Sequence, residues 1–269
     1  KLNRLAEEAY EEKRAHLFQH VDINVLINDL QKVASTDEYW QAWNSVYRDD
    51  IRQHIQHHFV RETSIWRLDD LLSRIDKNLL PIVKGYTVIS WYNQWTSTLI
   101  EDIIMRHKKI IPTVRKIDKV DFFLKLNDTE VPMDLKVTFI PREYIKKYMR
   151  RNVAQHADVI YLIKDIVNNK RNLIKWLYEN QGRARFSDSN RFFIILIDAS
   201  NIEDSWRLKA DILFIKSEIY RYLDSLIEIP EVEWVWEERK YRTLSDAIFI
   251  IKKRREKVSK RSNNYFTLP

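Results

Sequence analysis

The chain lacks cysteine altogether and contains only two glycines among its 269 residues. The absence of thiols excludes disulfides, thiolate zinc sites and cysteine nucleophiles, and it is typical of proteins of a reducing cytoplasm. Two glycines are too few for the glycine-rich loops that hold the phosphates of nucleotides. We therefore expect a protein whose activity needs neither ATP nor NAD.

Long apolar runs are also missing from this chain. No segment approaches the roughly 20 consecutive apolar residues that a membrane-spanning helix needs, and no secretory signal is recognisable. We therefore expect a cytoplasmic protein with no membrane partner. Hydrophobic residues nevertheless make up 45% of the chain, which at this length is enough to bury a full core.

Positive charge is concentrated in the later part of the chain. Residues 1–100 carry a formal charge of −2 and residues 101–269 carry +9, which gives the net charge of +7. A strongly basic run lies near the C-terminus, at residues 252–261. This distribution favours a polyanionic partner such as a nucleic acid.

Residues 119–139 predict a β-hairpin. Apolar and polar side chains alternate along residues 120–126 and again along residues 131–139, as they do in strands with one buried face. The residues between these two strands, 127–130, form a polar connection.

The hairpin gathers two acids and a lysine on one face. We expect Leu126 to pair with Val131, and in that register Asp121 lies opposite Lys136. Asp134 is then a diagonal neighbour on the same face. Cross-strand pairs lie about 5 Å apart and diagonal pairs about 7–8 Å apart, so both carboxylates could share one metal ion.

Mg²⁺ is the ion that this arrangement predicts. It is a hard cation, usually held by one or two carboxylates together with waters and substrate phosphate oxygens. Bound there, it can acidify a water and stabilise charge on a phosphate, and Lys136 could orient that water. The alternative is an ordinary hairpin whose Asp and Lys side chains face solvent and pair with each other.

The sequence Asp121, twelve intervening residues, then Asp134-Leu135-Lys136 resembles the active-site signature of the PD-(D/E)xK nuclease superfamily. That superfamily includes most type II restriction endonucleases, together with resolvases and repair nucleases. The usual proline before the first acid is Val120 here. The resemblance implies an α/β fold with a restriction-endonuclease-like core, in which helices flank a mixed central sheet and the order is helix, three strands, helix, strand.

The resemblance also implies the roles of the site residues. Asp121 and Asp134 would bind Mg²⁺, and an acid on the first core helix would complete the metal site. We favour Glu101 as this third acid, although the helical angles alone leave Asp102 equally well placed. Lys136 would position or activate the attacking water.

Periodicity predicts the remaining elements of the core. These elements are, in chain order, a helix at 94–107, a strand at 110–114, a strand at Asp158–Lys164, a helix at Ile166–Asn180, and strands at Arg191–Ala199, 232–236 and 246–251.

A further helix is predicted over residues 142–153, directly after the hairpin. Its basic residues are interpreted as contacts to the phosphates of DNA. They are Arg142, Lys146, Lys147, Arg150 and Arg151. The alternative is a basic surface that only serves solubility.

Residues 1–85 predict a helical N-terminal region for dimerisation or DNA contact, and residues 86–269 a catalytic core with a C-terminal extension and a basic tail. The helices expected in the first region cover residues 5–22, 23–34, 38–60 and 66–80. Within the third of them, Trp40, Trp43 and Tyr47 form an aromatic stripe that we interpret as core packing rather than as a platform for stacking bases.

Taken together, the resemblance implies a Mg²⁺-dependent, sequence-specific endonuclease for double-stranded DNA, of the prokaryotic restriction type. It would act as a homodimer and leave 5′-phosphate and 3′-hydroxyl ends. Two alternatives stay open. One is a structure-specific resolvase or repair nuclease of the same superfamily, and the other is a non-catalytic DNA-binding protein.

Overall fold

The computed structural model describes most of the chain. The described residues are 2–46, 48–117, 119–127, 129–151, 159–180 and 189–252. Within them the α-helices are α1 (Leu2–Leu17), α2 (Ile23–Ala34), α3 (Asp49–Ile55), α4 (Leu68–Asn78), α5 (Lys84–Met105), α6 (Arg142–Arg151), α7 (Val159–Asn168), α8 (Lys170–Asn180) and α9 (Ile212–Ser225). The strands are β1 (Ile110–Ile117), β2 (Val120–Leu126), β3 (Thr129–Phe139), β4 (Arg191–Asp198), β5 (Glu231–Trp236) and β6 (Arg239–Lys252).

The six described strands form one open, mixed sheet in the order β1-β2-β3-β4-β6-β5. β1, β2 and β3 are antiparallel neighbours, β4 runs parallel to both β3 and β6, and β5 is antiparallel to β6. With helices against both faces, this is the α/β class of fold that the sequence predicts. The chain order α5, β1, β2, β3, α6, β4 is also the expected one, with α7 and α8 inserted before β4.

Strand β4 is buried on both faces because its apolar residues alternate between two hydrophobic layers. Phe192, Ile194 and Leu196 pack on one side with α2, α4, α5 and α9. Their neighbours Phe193, Ile195 and Ile197 pack on the other side with α6, α7 and α8. This strand therefore lies between the two hydrophobic layers of the core and contributes side chains to both.

The strand predicted at Asp158–Lys164 is wrong. Asp158 lies outside the described residues, and the residues after it belong to helix α7. Leu162, Ile163 and Ile166 are buried at helical spacing and pack in the same layer as α8. A short apolar run fits a strand or a buried helix equally well by periodicity, and packing decides for the helix here. The single helix predicted at Ile166–Asn180 is correspondingly divided between α7 and α8.

The helix predicted at residues 38–60 is also wrong, because the segment is divided into a 3-10 turn at Trp40–Asn44, helix α3 and a π-helical turn at Gln56–Val60. Trp40 packs on the hydrophobic layer that contains α5, as expected for a core residue. Trp43 lies at the surface instead, with 39% of its side chain exposed. Tyr47 lies outside the described residues.

The N-terminal helices and the sheet share one hydrophobic layer, which includes Leu26 and Leu30 of α2. Helix α2 begins where the sequence predicts, because the Asp22 carboxylate accepts the backbone N–H groups of Asn24 and Val25. The division into an N-terminal region and a catalytic core stays a prediction. In the described part of the chain, no helix combines the length and apolar character needed to cross a bilayer.

Gly85, in the first turn of α5, allows the 3-10 turn at Trp40–Asn44 to pack closely against this helix. A Cβ atom added at Gly85 would lie 2.5 Å from the Cβ of Ala42, which is well inside van der Waals contact. Since the Ala42 Cβ is attached directly to the backbone, no side-chain rotation can relieve the overlap. The 3-10 turn would have to move.

We predict that Gly85→Ala lowers the free energy of unfolding by about 1–3 kcal/mol, the usual penalty of overpacking. Alanine is the better helix former by about 1 kcal/mol, but we expect the overlap with Ala42 to outweigh that gain. Chemical denaturation measures the difference, and Ser97→Ala on the exposed side of α5 is the matched control. A Gly85→Ala protein as stable as wild type would contradict this packing.

Candidate active site

The acids of the predicted site lie where strands β2 and β3 part, but in a register different from the expected one. Leu126 pairs with Thr129 rather than with Val131, and the ladder continues to Phe122 paired with Met133. The predicted pairing is therefore wrong by two residues. The connection is shorter than expected because Asn127 adopts a left-handed φ of 51°, which is typical of tight hairpin loops. A shift of two residues keeps every side chain on its original face.

In the observed register Asp121 lies beside Asp134 instead of opposite Lys136. The Asp121 carboxylate crosses to β3, where its Oδ2 accepts the backbone N–H of Leu135 at 2.8 Å. It thereby replaces a main-chain acceptor at the end of the ladder. The carboxyl groups of Asp121 and Asp134 lie within hydrogen-bonding reach of each other. The two acids are thus closer together than the sequence indicates.

Arg191, at the start of β4, forms an ion pair with Asp134. The distance from its Nε to Asp134 Oδ2 is 3.0 Å, because Asp134 and Arg191 are neighbours in the parallel register of β3 and β4. Only 4% of Arg191 is exposed, and its guanidinium lies 5.5 Å from the centre of the Tyr178 ring. The sequence analysis missed this residue, although an arginine that opens an otherwise apolar strand is a recognisable signal.

Helix α5 carries Glu101 within electrostatic range of Asp121, and it directs Asp102 elsewhere. The Asp102 carboxylate accepts the Nε–H of Arg14 at 2.6 Å and the hydroxyl of Tyr10 at 3.2 Å, so it is held by α1. Glu101 is partly buried and lies within electrostatic range of Asp121. Of the two acids on this helix, the geometry therefore favours Glu101 as the neighbour of the pair.

The pKa values of these acids reflect burial and like charge. Burial raises the pKa of the Asp134 carboxyl, Arg191 and Lys136 oppose the rise, and Asp121 adds to it. Burial also raises the pKa of Glu101, with Lys13 opposing and Asp121 adding. Neighbouring carboxylates resist ionisation together, so this cluster would gain from a cation that binds between them.

Lys136 lies two residues beyond Asp134 on β3 and is exposed. A second lysine, Lys209, is within electrostatic range of it. Lys209 is buried, its Nζ donates to the Asn93 Oδ1 at 2.9 Å, and burial together with Lys136 lowers its pKa to about 8. Lys209 is not predictable from the sequence, because nothing in its local pattern indicates burial.

A metal site made only of protein ligands is not preformed here. Across the described ranges, no three His, Cys, Asp or Glu side chains form a group that could hold a metal ion. Mg²⁺, however, is usually bound through one or two carboxylates, with waters and substrate phosphates as its other ligands. The pair Asp121 and Asp134 fits that requirement by its chemistry and its proximity.

The basic helix predicted after the hairpin is α6. Arg142, Lys146 and Lys147 are exposed on it, and Arg142 forms an ion pair with Glu203. The side chains of Arg150 and Arg151, and the end of the basic tail from residue 253 on, lie outside the described part of the chain.

Comparison of the chain with protein-family models, with curated proteins and with solved structures found no match. The interpretation of the site therefore depends on the residues and the geometry described above.

We predict that Glu101→Gln removes a pH-dependent loss of stability in metal-free buffer. Because the pKa of Glu101 is raised in the folded state, the folded protein keeps a proton on this side chain at pH values at which the unfolded chain has released it. The wild-type protein therefore loses stability as the pH rises from the ordinary Glu pKa near 4.3 through the raised pKa of the folded state. The variant should therefore gain stability relative to wild type as the pH rises from about 4 to 8. Denaturation at both pH values measures the change, and Glu228→Gln, at an exposed acid, is the control. An identical difference at the two pH values would contradict the prediction.

Proposed function

We propose that the protein is a Mg²⁺-dependent endonuclease for double-stranded DNA, with a restriction-endonuclease-like core of the PD-(D/E)xK type. The observation that supports this most strongly is the convergence of Asp121 and Asp134 at the point where β2 and β3 part, with Lys136 two residues further along β3. Two adjacent carboxylates and a lysine are the groups that metal-assisted hydrolysis of a phosphodiester needs.

In this proposal Asp121 and Asp134 hold the ion, and Glu101 is a third acid that acts directly or through a water. Magnesium, when bound, acidifies a water and stabilises the charge that builds on the phosphate. Lys136 orients that water or neutralises the phosphate. The products are a 5′-phosphate and a 3′-hydroxyl.

Arg191 has a positioning role in the same proposal. Its ion pair engages Oδ2 of Asp134, which fixes the position of this side chain beside Asp121. The buried guanidinium also offsets part of the negative charge that two neighbouring acids bring to the site. Arg191 thus keeps the pair of carboxylates together before DNA and metal arrive.

Helix α6 is proposed to contact the DNA backbone. It begins three residues after the end of β3, the strand that carries Asp134 and Lys136, and its residues Arg142, Lys146 and Lys147 are exposed. The positive balance of this part of the chain supports the same partner. A symmetric homodimer would supply two sites, one for each strand of a palindromic sequence.

One observation favours the non-catalytic alternative. A carboxylate in an ion pair with a buried arginine, as Asp134 is with Arg191, can be a purely structural feature of a DNA-binding protein. Cleavage that depends on Mg²⁺ would exclude this alternative, and DNA binding without any turnover would support it.

We predict that Asp134→Asn lowers the single-turnover rate of cleavage of plasmid DNA in Mg²⁺ by at least about 100-fold, while DNA binding in Ca²⁺ is retained. Lys136→Met should lower the rate by about 100- to 1,000-fold without weakening metal binding. The matched controls are Asp70→Asn and Lys77→Met, which change exposed residues of α4. Wild-type cleavage in EDTA, or an Asp134→Asn protein that cuts at the wild-type rate, would refute the proposed function.

The proposed role of α6 predicts a change in salt dependence. Lys146→Gln and Lys147→Gln should each make the slope of log affinity against log salt less steep by about 0.9, the contribution of one phosphate contact. Filter binding or fluorescence anisotropy over a salt series measures the slope, with Lys77→Gln as the control. Slopes equal to that of wild type would show that this helix does not contact DNA.

A further inference from the structure

A small pocket lies at the end of β3, on the same strand as Asp134 and Lys136. Its volume is about 200 Å³, and its lining includes Trp40, Trp43, Phe139, Arg142, Glu203 and Trp206. We call it the tryptophan pocket. A volume below the roughly 300–1,000 Å³ of sites for drug-sized ligands suits a single flat ring system rather than a whole nucleotide.

Three tryptophans form a parallel stack along one side of this pocket. The rings of Trp40 and Trp206 lie 4.8 Å apart and are parallel within 2°. Trp43 continues the stack at 6.4 Å from Trp40, with an angle of 13° between the rings. The guanidinium of Arg207 lies 4.7 Å from the centre of the Trp206 ring, at the opposite end. The inner indoles are thereby fixed. Trp43, whose ring centre also lies 6.0 Å from that of Tyr86, is the partly exposed member of the stack.

The rim of the pocket carries one donor and one acceptor of hydrogen bonds. Arg142 and Glu203 face each other there as an ion pair, and both are more than half exposed. A guanidinium can donate to the ring nitrogens and carbonyls of a base, and a carboxylate can accept from an exocyclic amine. A flat, apolar platform with such a rim matches the edge chemistry of a nucleobase.

The tryptophan pocket lies beyond the acids on the same strand. Phe139 follows Lys136 by three residues and Asp134 by five, which corresponds to about 10 Å and about 17 Å along the strand. Because these spacings are odd, Phe139 faces the hydrophobic layer that contains α5, whereas Asp134 and Lys136 face the other side of the sheet. A nucleic-acid strand bound at the acids would therefore have to pass the end of β3 to reach the pocket.

We propose that the tryptophan pocket binds one unstacked nucleobase of the substrate strand. This inference deepens the proposed nuclease function and depends on it for the identity of the strand. The base stacks on the tryptophans, and Arg142 and Glu203 contact its edge. Such a base comes either from a single-stranded segment or from a duplex out of which it has been extruded.

The test is a binding measurement in EDTA, so that no cleavage occurs. The probes are a fluorescent single-stranded oligothymidylate and an oligonucleotide of the same length and charge whose sugars carry no bases. Wild type should bind the base-bearing strand about 5- to 150-fold more tightly, the range expected for stacking of a base on an aromatic ring. Equal affinity for the two strands would overturn the proposal, and this comparison needs no variant.

Variants then assign the effect to the pocket. Trp43→Ala should lose most of the preference for the base-bearing strand without changing affinity for the abasic one, and Trp43→Phe should keep most of it. The control is Tyr161→Ala, which removes an aromatic residue that is 61% exposed on α7. A preference that survives Trp43→Ala in a folded protein would place base binding elsewhere and overturn the proposal.

Duplex probes distinguish the two sources of the base. If the base is extruded from a duplex, a duplex with one mismatch should bind more tightly than the matched duplex, because unstacking a mismatched base costs less. Trp43→Ala should then abolish this difference in affinity. If the base comes from a single-stranded segment, the single strand should bind more tightly than either duplex. These results are independent of catalysis. If the protein binds bases through Trp43 but never cuts DNA, only the proposed nuclease function is refuted. If it cuts DNA but binds base-bearing and abasic strands equally well, only the proposed base pocket is refuted.

Discussion

Two carboxylates of like charge meet where β2 and β3 part, and the rest of the candidate site depends on this contact. Asp121 reaches across the gap to a backbone N–H of β3, which brings its carboxyl group next to that of Asp134. Such a contact between partly buried acids is unfavourable unless a proton, an arginine or a metal ion offsets the charge. Arg191 supplies part of that compensation, and a divalent cation would supply the remainder.

Neighbouring strands and helices position the residues that surround this pair of carboxylates. β4 positions Arg191 beside Asp134 through the parallel register, and Glu101 of α5 lies within electrostatic range of Asp121. Beyond the acids, β3 continues past Lys136 to the tryptophan pocket and then to the basic helix α6. The proposed metal-binding acids, the proposed base pocket and the proposed phosphate contacts therefore follow one another in chain order along β3 and the helix after it.

The sequence predicts this molecule well where a pattern is local. The period of two along β2 and the unbroken apolar run along β4 predict both strands nearly to the residue, and the hairpin motif places the acids on one face. The sequence does not predict the features that depend on tertiary contacts. The left-handed conformation of Asn127 shifts the register by two residues, and packing against α8 makes α7 a helix rather than a strand. The contacts of Arg191 with Asp134 and of Lys209 with Asn93 join segments far apart in the chain, so no local spacing predicts which residues these side chains contact.

We propose that Asp121 and Asp134 hold one divalent cation between them. Anomalous scattering from crystals grown with Mn²⁺, which takes the same oxygen ligands as Mg²⁺, is the most direct measurement of this ion. We expect a single strong peak in contact with carboxylate oxygens of both residues, and loss of that peak in Asp121→Asn crystals grown in the same way. Well-ordered crystals of the wild-type protein with no peak at these acids, and with Asp134 bound to Arg191 alone, would contradict it.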